Sequence, residues 1–139
     1  MYLDLDKGQK FCNILKLFEM NKADAIQIIN NQIGNNKLSN ANCNYSKINK
    51  GKEVWWCNIG PLRFEEELNL LLASKSGISW LCIPKNSFKN LSSIFKIRLD
   101  KNVVDLEISS DRNFKYLQDV KSGGTGINFK QFLKGTFTD

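Results

Sequence analysis

A chain of 139 residues, 42% of them hydrophobic, is long enough to bury one core and short enough to be a single folding unit. Twenty basic against 14 acidic residues leave a formal charge of +6, which biases the surface toward an anionic partner such as nucleic acid. Histidine is absent, which excludes every complete active site that needs an imidazole: Ser-His and Cys-His hydrolases, phospholipase-D-like and other histidine-dependent nucleases, and the common zinc hydrolases.

Residues 9–33 read as helical. Phe11, Ile14, Leu15 and Phe18 recur at helical spacing, and a break falls near Asn21. Residues 22–32 then place Ala25, Ile28, Ile29 and Ile33 on one side, and Gly34 with Asn35 stops the helix. Both stripes suit core contacts, so residues 1–34 are expected to be a helical extension packed on the core; an arm belonging to a neighbouring domain is the alternative. Residues 35–52 hold almost no apolar bulk and read as an exposed loop or edge element.

Short strands follow. Residues 53–59 contain Val54, Trp55, Trp56 and Ile59, and residues 68–73 are a continuous apolar run. Residues 78–83 come after the turn Ser74-Lys75-Ser76-Gly77 and pair with that run as a hairpin. On a strand Trp55 and Trp56 point to opposite faces, one into the core and the other beneath the preceding arm, with base stacking as the functional alternative. Pro84 ends the strand, and Phe88, Leu91, Ile94 and Phe95 suit a short helix within residues 85–95. Residues 97–99 and 103–108 form a second hairpin around Asp100-Lys101-Asn102, with Val104, Leu106 and Ile108 alternating with Asp105 and Glu107. Residues 116–120 and 127–129 read as final short strands around Ser122-Gly123-Gly124-Thr125-Gly126, and Phe129, Phe132 and Leu133 close the chain on a helical turn. The expected class is mainly β (α+β), Greek-key-like or pseudobarrel, rather than a parallel βαβ sheet.

The cysteines Cys12, Cys43, Cys57 and Cys82 are far apart and form no C-x-x-C pair, so a zinc site is not expected and small buried thiols are. With no secretory signal, transmembrane run or lipidation motif in the sequence, the expected location is the cytoplasm. Lysine supplies 17 of the 20 basic residues, so phosphate-neutralising point charges are plentiful. Base-reading guanidinium forks are limited to Arg63, Arg98 and Arg112.

Few constellations can carry chemistry. A PD-(D/E)xK nuclease needs metal-holding carboxylates and a lysine two residues after the last acid; Asp105-Leu106-Glu107 is followed by Ile108-Ser109 and lacks it, and alternating acids on a hairpin suit its solvent face. Glu65-Glu66-Glu67 suits a solvated turn better than a metal site, and Gly123-Gly124-Thr125-Gly126 lacks the Lys-Ser/Thr and long helix of a phosphate cradle. Residues 40–52 differ, because Asn40, Asn42, Asn44, Tyr45, Ser46 and Asn49 are interleaved with Lys47, Lys50 and Lys52. Asparagine matches the major-groove edge of adenine and lysine neutralises phosphate, although an ordinary polar connector has the same composition. A second stretch, Ser109-Ser110-Asp111-Arg112-Asn113-Phe114-Lys115, flanks one of the rare arginines with polar groups able to orient it against guanine; a plain surface turn is the alternative.

The order Asn42-Cys43-Asn44-Tyr45-Ser46-Lys47-Ile48-Asn49, then Lys52-Glu53-Val54-Trp55-Trp56-Cys57-Asn58-Ile59, resembles the start of the B3-like DNA-recognition domain of some type II restriction endonucleases, of the kind attached to phospholipase-D-type nuclease domains. Trp80-Leu81-Cys82-Ile83-Pro84-Lys85-Asn86-Ser87-Phe88, Leu106-Glu107-Ile108-Ser109 and Phe129-Lys130-Gln131-Phe132-Leu133 continue the likeness over residues 35–135. The resemblance implies a seven-stranded open pseudobarrel with two helices over residues 35–139, gripping duplex DNA with two arms in the major groove. Those arms would be residues 42–52 and 109–115, with cutting done by a separate domain.

The expected DNA-binding set is Asn42, Asn44, Tyr45, Ser46, Lys47, Asn49, Lys50, Lys52, Ser109, Asp111, Arg112, Asn113, Lys115 and Lys121. The expected partners are double-stranded DNA and a covalently linked or associated nuclease domain, with no catalytic residue, metal, cofactor, membrane or small-molecule substrate. The rivals are a small magnesium-dependent nuclease using Asp105 and Glu107, and a protein-interaction module. The DNA reading requires both polar segments to emerge on one side of the scaffold, around a cleft not lined with acid.

Overall fold

The computed structural model describes residues 20–49 and 51–139; the helical stripe at residues 9–19, Cys12 and the expected DNA contact Lys50 lie outside the described residues. Helix α1, Lys22–Ile33, starts where the Asn21 side chain accepts from the Asp24 amide at 2.9 Å and the Asp24 carboxylate accepts from the Asn21 amide at 3.1 Å. It ends at Gly34, whose left-handed φ of 76° lets its amide reach Asn30 O. Asn30 then holds the departing chain, donating to Leu38 O at 2.8 Å and accepting from Leu38 N at 3.1 Å. Leu38 is thereby buried inside a segment whose composition suggested only exposure.

The described residues form seven strands in two sheets and two helices, a mainly β, α+β arrangement. The first sheet contains β1 (Cys43–Lys47), β3 (Leu68–Ser74), β4 (Gly77–Ile83) and β7 (Leu133–Phe137), in the order β1-β3-β4-β7. The pair β1–β3 is parallel, and the other pairs are antiparallel. The second sheet is antiparallel, with β2 (Val54–Ile59), β6 (Val103–Ser109) and β5 (Lys96–Arg98) in the order β2-β6-β5. Helix α2, Leu91–Ile94, is a single turn before β5. Among the described residues the sheets do not join into one closed barrel; they meet at the bridge between Ile48 and Trp55.

The largely apolar runs of β3 and β4, interrupted by Asn69 and Ser79, have a simple cause: both of their faces are covered. Leu70, Leu72, Leu81 and Ile83 face the main core, shared with Trp55, Cys57, Ile59, Val104, Leu106 and Ile108 of the second sheet. Leu71, Ala73, Ile78, Trp80 and Cys82 face a smaller core capped by Ala25 and Ile29, one helical turn apart on α1. Phe64, Phe88, Phe95 and Phe129 pack edge-on and stacked, with centroids 5.1 to 6.3 Å apart, at the edge of the main core.

Several elements depart from the sequence pattern. Of the loop-or-edge reading, residues 43–47 realise the edge alternative as a paired strand, whereas β7 was hidden by its mixed sequence Leu-Lys-Gly-Thr-Phe. Residues 116–120 and 127–129 make only isolated bridges, Ile108 to Asp119 and Gln118 to Asn128, because Leu117 sits at φ 62° and interrupts the extended run. Trp56 is 55% exposed instead of lying beneath the preceding segment, because it stands on the outer face of β2 opposite Glu107.

The run at residues 68–73 also conceals a polar residue. Asn69 is fully buried, accepts from the Trp80 indole at 2.8 Å and donates to Asn42 O at 3.2 Å, so one amide ties β3 to β4 and to the chain entering β1. Asn69→Ala leaves both partners unpaired in the core and should lower unfolding stability by about 2–3 kcal/mol, read from urea denaturation followed by tryptophan fluorescence.

Candidate nucleic-acid interface

A cleft of about 470 Å³ is lined by the second polar segment and, from the first, by Ile48 alone. Ile48 and Glu53, the residue that follows the first segment, form one side, and Ser110, Asp111, Arg112, Asn113 and Tyr116 form another. The β3–β4 turn supplies Ser74, Lys75 and Ser76, and Trp55 reaches the cleft from below. The condition of a cleft free of acid is not met, because Glu53 and Asp111 line it beside Lys75 and Arg112 and its charged groups balance.

The second segment is a built loop. Ser109 is buried, donates through Oγ to Phe114 O at 2.9 Å and accepts from the Asp111 amide at 3.3 Å. Asp111 Oδ1 accepts from the Asn113 amide at 2.9 Å, an Asx turn that presents the intervening Arg112 outward. The Ser110 amide donates to Glu53 O at 3.0 Å and stitches this loop to the residue that follows the first segment. The Arg112 guanidinium lies 4.9 Å from the centre of the Tyr116 ring, a cation-π arrangement. Lys115 and Leu117 follow at φ 52° and 62°, and Leu117 is fully buried.

The first segment is used differently. Asn42 donates to Lys37 O and accepts from Ser39 N, at 2.9 and 2.8 Å, so its amide closes a turn. Asn44 accepts from Arg63, Ser46 is buried and donates to Trp56 O at 2.8 Å, and Asn49 accepts from the Gly51 amide. Tyr45 packs against the smaller core, and burial pushes its phenol up to about 12, with the Asp24 charge adding to the shift. Asn42, Asn44, Tyr45 and Ser46 therefore serve the fold, while Lys47 is exposed on β1. Of the expected DNA-contacting residues, Asp111, Arg112 and Asn113 line the cleft; Ile48, Glu53, Trp55, Ser74, Lys75, Ser76, Ser79, Ser110 and Tyr116 line it without having been expected. The serine-rich hairpin turn was the readable signal, since turn chemistry needed only Gly77 there.

Compared with family models, curated proteins and solved structures, the chain matches none.

The arginines have separate assignments. Arg63 donates to Ala41 O, Cys43 O and Asn44 Oδ1 at 2.5, 2.9 and 2.9 Å and clamps the start of β1. Arg98 pairs with Asp100 at 2.9 Å. Arg112 is the guanidinium presented at the cleft. Among the described residues the thiols carry no nucleophile signal, because burial pushes Cys43 and Cys82 up and Cys57 up to about 12.

Asp105 and Glu107, the pair on which a magnesium nuclease would rely, are occupied by ammonium groups. Lys121 lies 3.4 Å from Asp105 and 3.6 Å from Glu107, and Lys52 lies 2.7 Å from Glu107. Glu107 is only 8% exposed, so β6 does not present a plain solvent face. Asp119 joins the group from the segment bridged to Ile108, its Oδ1 accepting from the Glu107 and Lys121 amides. Among the described residues no group of three or more metal-ligating side chains is assembled to hold an ion, and no helix is long and apolar enough to cross a membrane.

The same cluster sets a pH dependence. Burial raises Glu107, but hydrogen bonding and charge from Lys52 and then Lys121 outweigh it and hold the carboxyl below its ordinary value. A depressed folded-state value adds stability above the unfolded value, and that stability is lost as pH falls through the folded one. Lys121→Met should therefore cost about 1 kcal/mol at neutral pH, and the difference from the unsubstituted chain should shrink through the acid carboxylate range, followed by urea denaturation across pH.

Proposed function

We propose that this chain is a non-catalytic recognition domain that binds a short double-stranded DNA site through its two polar segments. The observation that carries the reading is the cleft lined by Ser110, Asp111, Arg112 and Asn113 of the second segment, at which the Arg112 guanidinium stands over Tyr116. A guanidinium presented there suits the paired acceptors O6 and N7 of guanine. The Asp111 turn and Asn113 stand beside it with further hydrogen-bonding groups. Lys47 and Lys115, exposed on the two segments, suit phosphate contacts, as does the net charge of +6. Lys52 and Lys121 contribute less in this reading, because each would have to leave a carboxylate to meet a phosphate.

The reading extends to a B3-like pseudobarrel serving a type II restriction endonuclease, with the nuclease domain linked to or associated with it. Two sheets joined at one side, seven strands and two helices among the described residues are compatible with that architecture. The family likeness itself rests on the short sequence motifs. Magnesium-dependent cleavage by Asp105 and Glu107 is disfavoured by the lysines already paired with both acids.

A shift assay with a randomised duplex pool, followed by sequencing of the retained fraction, tests the reading: an enriched motif is expected, and uniform or salt-insensitive retention counts against it. Arg112→Ala should relax discrimination at one base pair by about 1–3 kcal/mol. Lys115→Ala should instead weaken all duplexes alike and flatten the salt dependence, as seen in fluorescence-anisotropy titrations.

A further inference from the structure

A cleft built to seat the phosphate backbone should be basic, yet the charges here cancel, with Glu53 and Asp111 facing Arg112 and Lys75. Carboxylates repel phosphate and accept hydrogen bonds from amino groups. One surface is aromatic, the half-buried Tyr116 ring beside Arg112, while Trp55, 2% exposed and pinned by its Nε1 donating to Ala73 O at 2.9 Å, closes the base. An aromatic wall, carboxylate acceptors and a volume of about 470 Å³ suit a neutral planar ligand with N–H donors on its rim, in the size class of small-ligand sites. A nucleobase carrying an exocyclic amino group has that chemistry.

A base stacked in a duplex cannot enter a cleft; it must leave the helix. One residue beyond Asn113, Phe114 is 59% exposed, with the Lys115 ammonium 5.0 Å from its ring. An apolar side chain presented beside a phosphate-seeking lysine is suited to wedging between base steps. We infer that binding extrudes one amino-bearing base into the cleft beside Tyr116 and Arg112 while Phe114 fills its place in the stack. This inference rests on the duplex-binding reading above.

Unpairing and unstacking a base is the main cost of extrusion and is smallest at a mismatch. The test takes the duplex recovered from the randomised pool and scans single mismatches along it with the full chain. At one position a mismatch should tighten binding about tenfold or more, whereas mismatches at groove-read positions should weaken it. Phe114→Ala, a change at an exposed site, should weaken binding of the paired duplex about tenfold and of that mismatched duplex clearly less. Retained binding of the paired duplex with no mismatch that tightens it overturns extrusion and leaves groove reading intact. Equal loss on both duplexes in Phe114→Ala overturns the wedge, and failure to bind any duplex overturns both readings.

Discussion

The carbonyl of Ala73 accepts two hydrogen bonds at 2.9 Å, one from the Ile48 amide and one from the Trp55 indole. Through this single acceptor, β3 of the first sheet holds both the end of the first polar segment and the start of β2 in the second sheet. A carbonyl has two lone pairs, and here both are used where no water can substitute. The other polar ties between the sheets here are the Ile48 to Trp55 bridge and the Ser46 hydroxyl donating to Trp56 O, and the Ala73 acceptor adds the one that fixes the Trp55 side chain. Burial of β3 on both faces makes the anchor rigid, because Ala73 belongs to the smaller core while its neighbour Leu72 belongs to the main one.

Much of the scaffold was legible because periodicity reports burial directly. The hairpin of β3 and β4 and the alternation of β6 come straight from runs of apolar residues, and the α1 boundaries from the break near Asn21 and the stop at Gly34 with Asn35. What escaped was set by tertiary context. β7 carries Lys134, Gly135 and Thr136 and has little strand signal of its own; it forms because the outer edge of β4 supplies a template. Its approach is so close that a Cβ at Gly77 would lie 2.6 Å from Phe137 O, in a turn already at φ 126°.

The interface was legible as composition and not as direction. Asparagine, serine and tyrosine between residues 42 and 49 have the hydrogen-bonding chemistry of a DNA-reading arm. The same chemistry closes turns, receives Arg63 and caps a strand edge, and only coordinates show which use has been made. The second segment survives the comparison better, because Asp111 and Ser109 bond to backbone within the loop and leave Arg112 and Asn113 at its surface. Likewise, Asp105 and Glu107 looked like a hydrated stripe; Lys121, arriving from 14 residues beyond Glu107, turns them into a partly buried ionic cluster.

The left-handed backbone at Lys115 and Leu117 has a consequence for any partner of the neighbouring loop. Side chains other than glycine adopt such angles at a cost of about 1–2 kcal/mol each, and the buried Leu117 side chain holds the second of them in place. The penalty is met during folding, so the loop reaches its working shape before an encounter occurs. Association then forfeits little chain freedom, and complex lifetime is governed by the contacts made rather than by the ordering of a floppy tip.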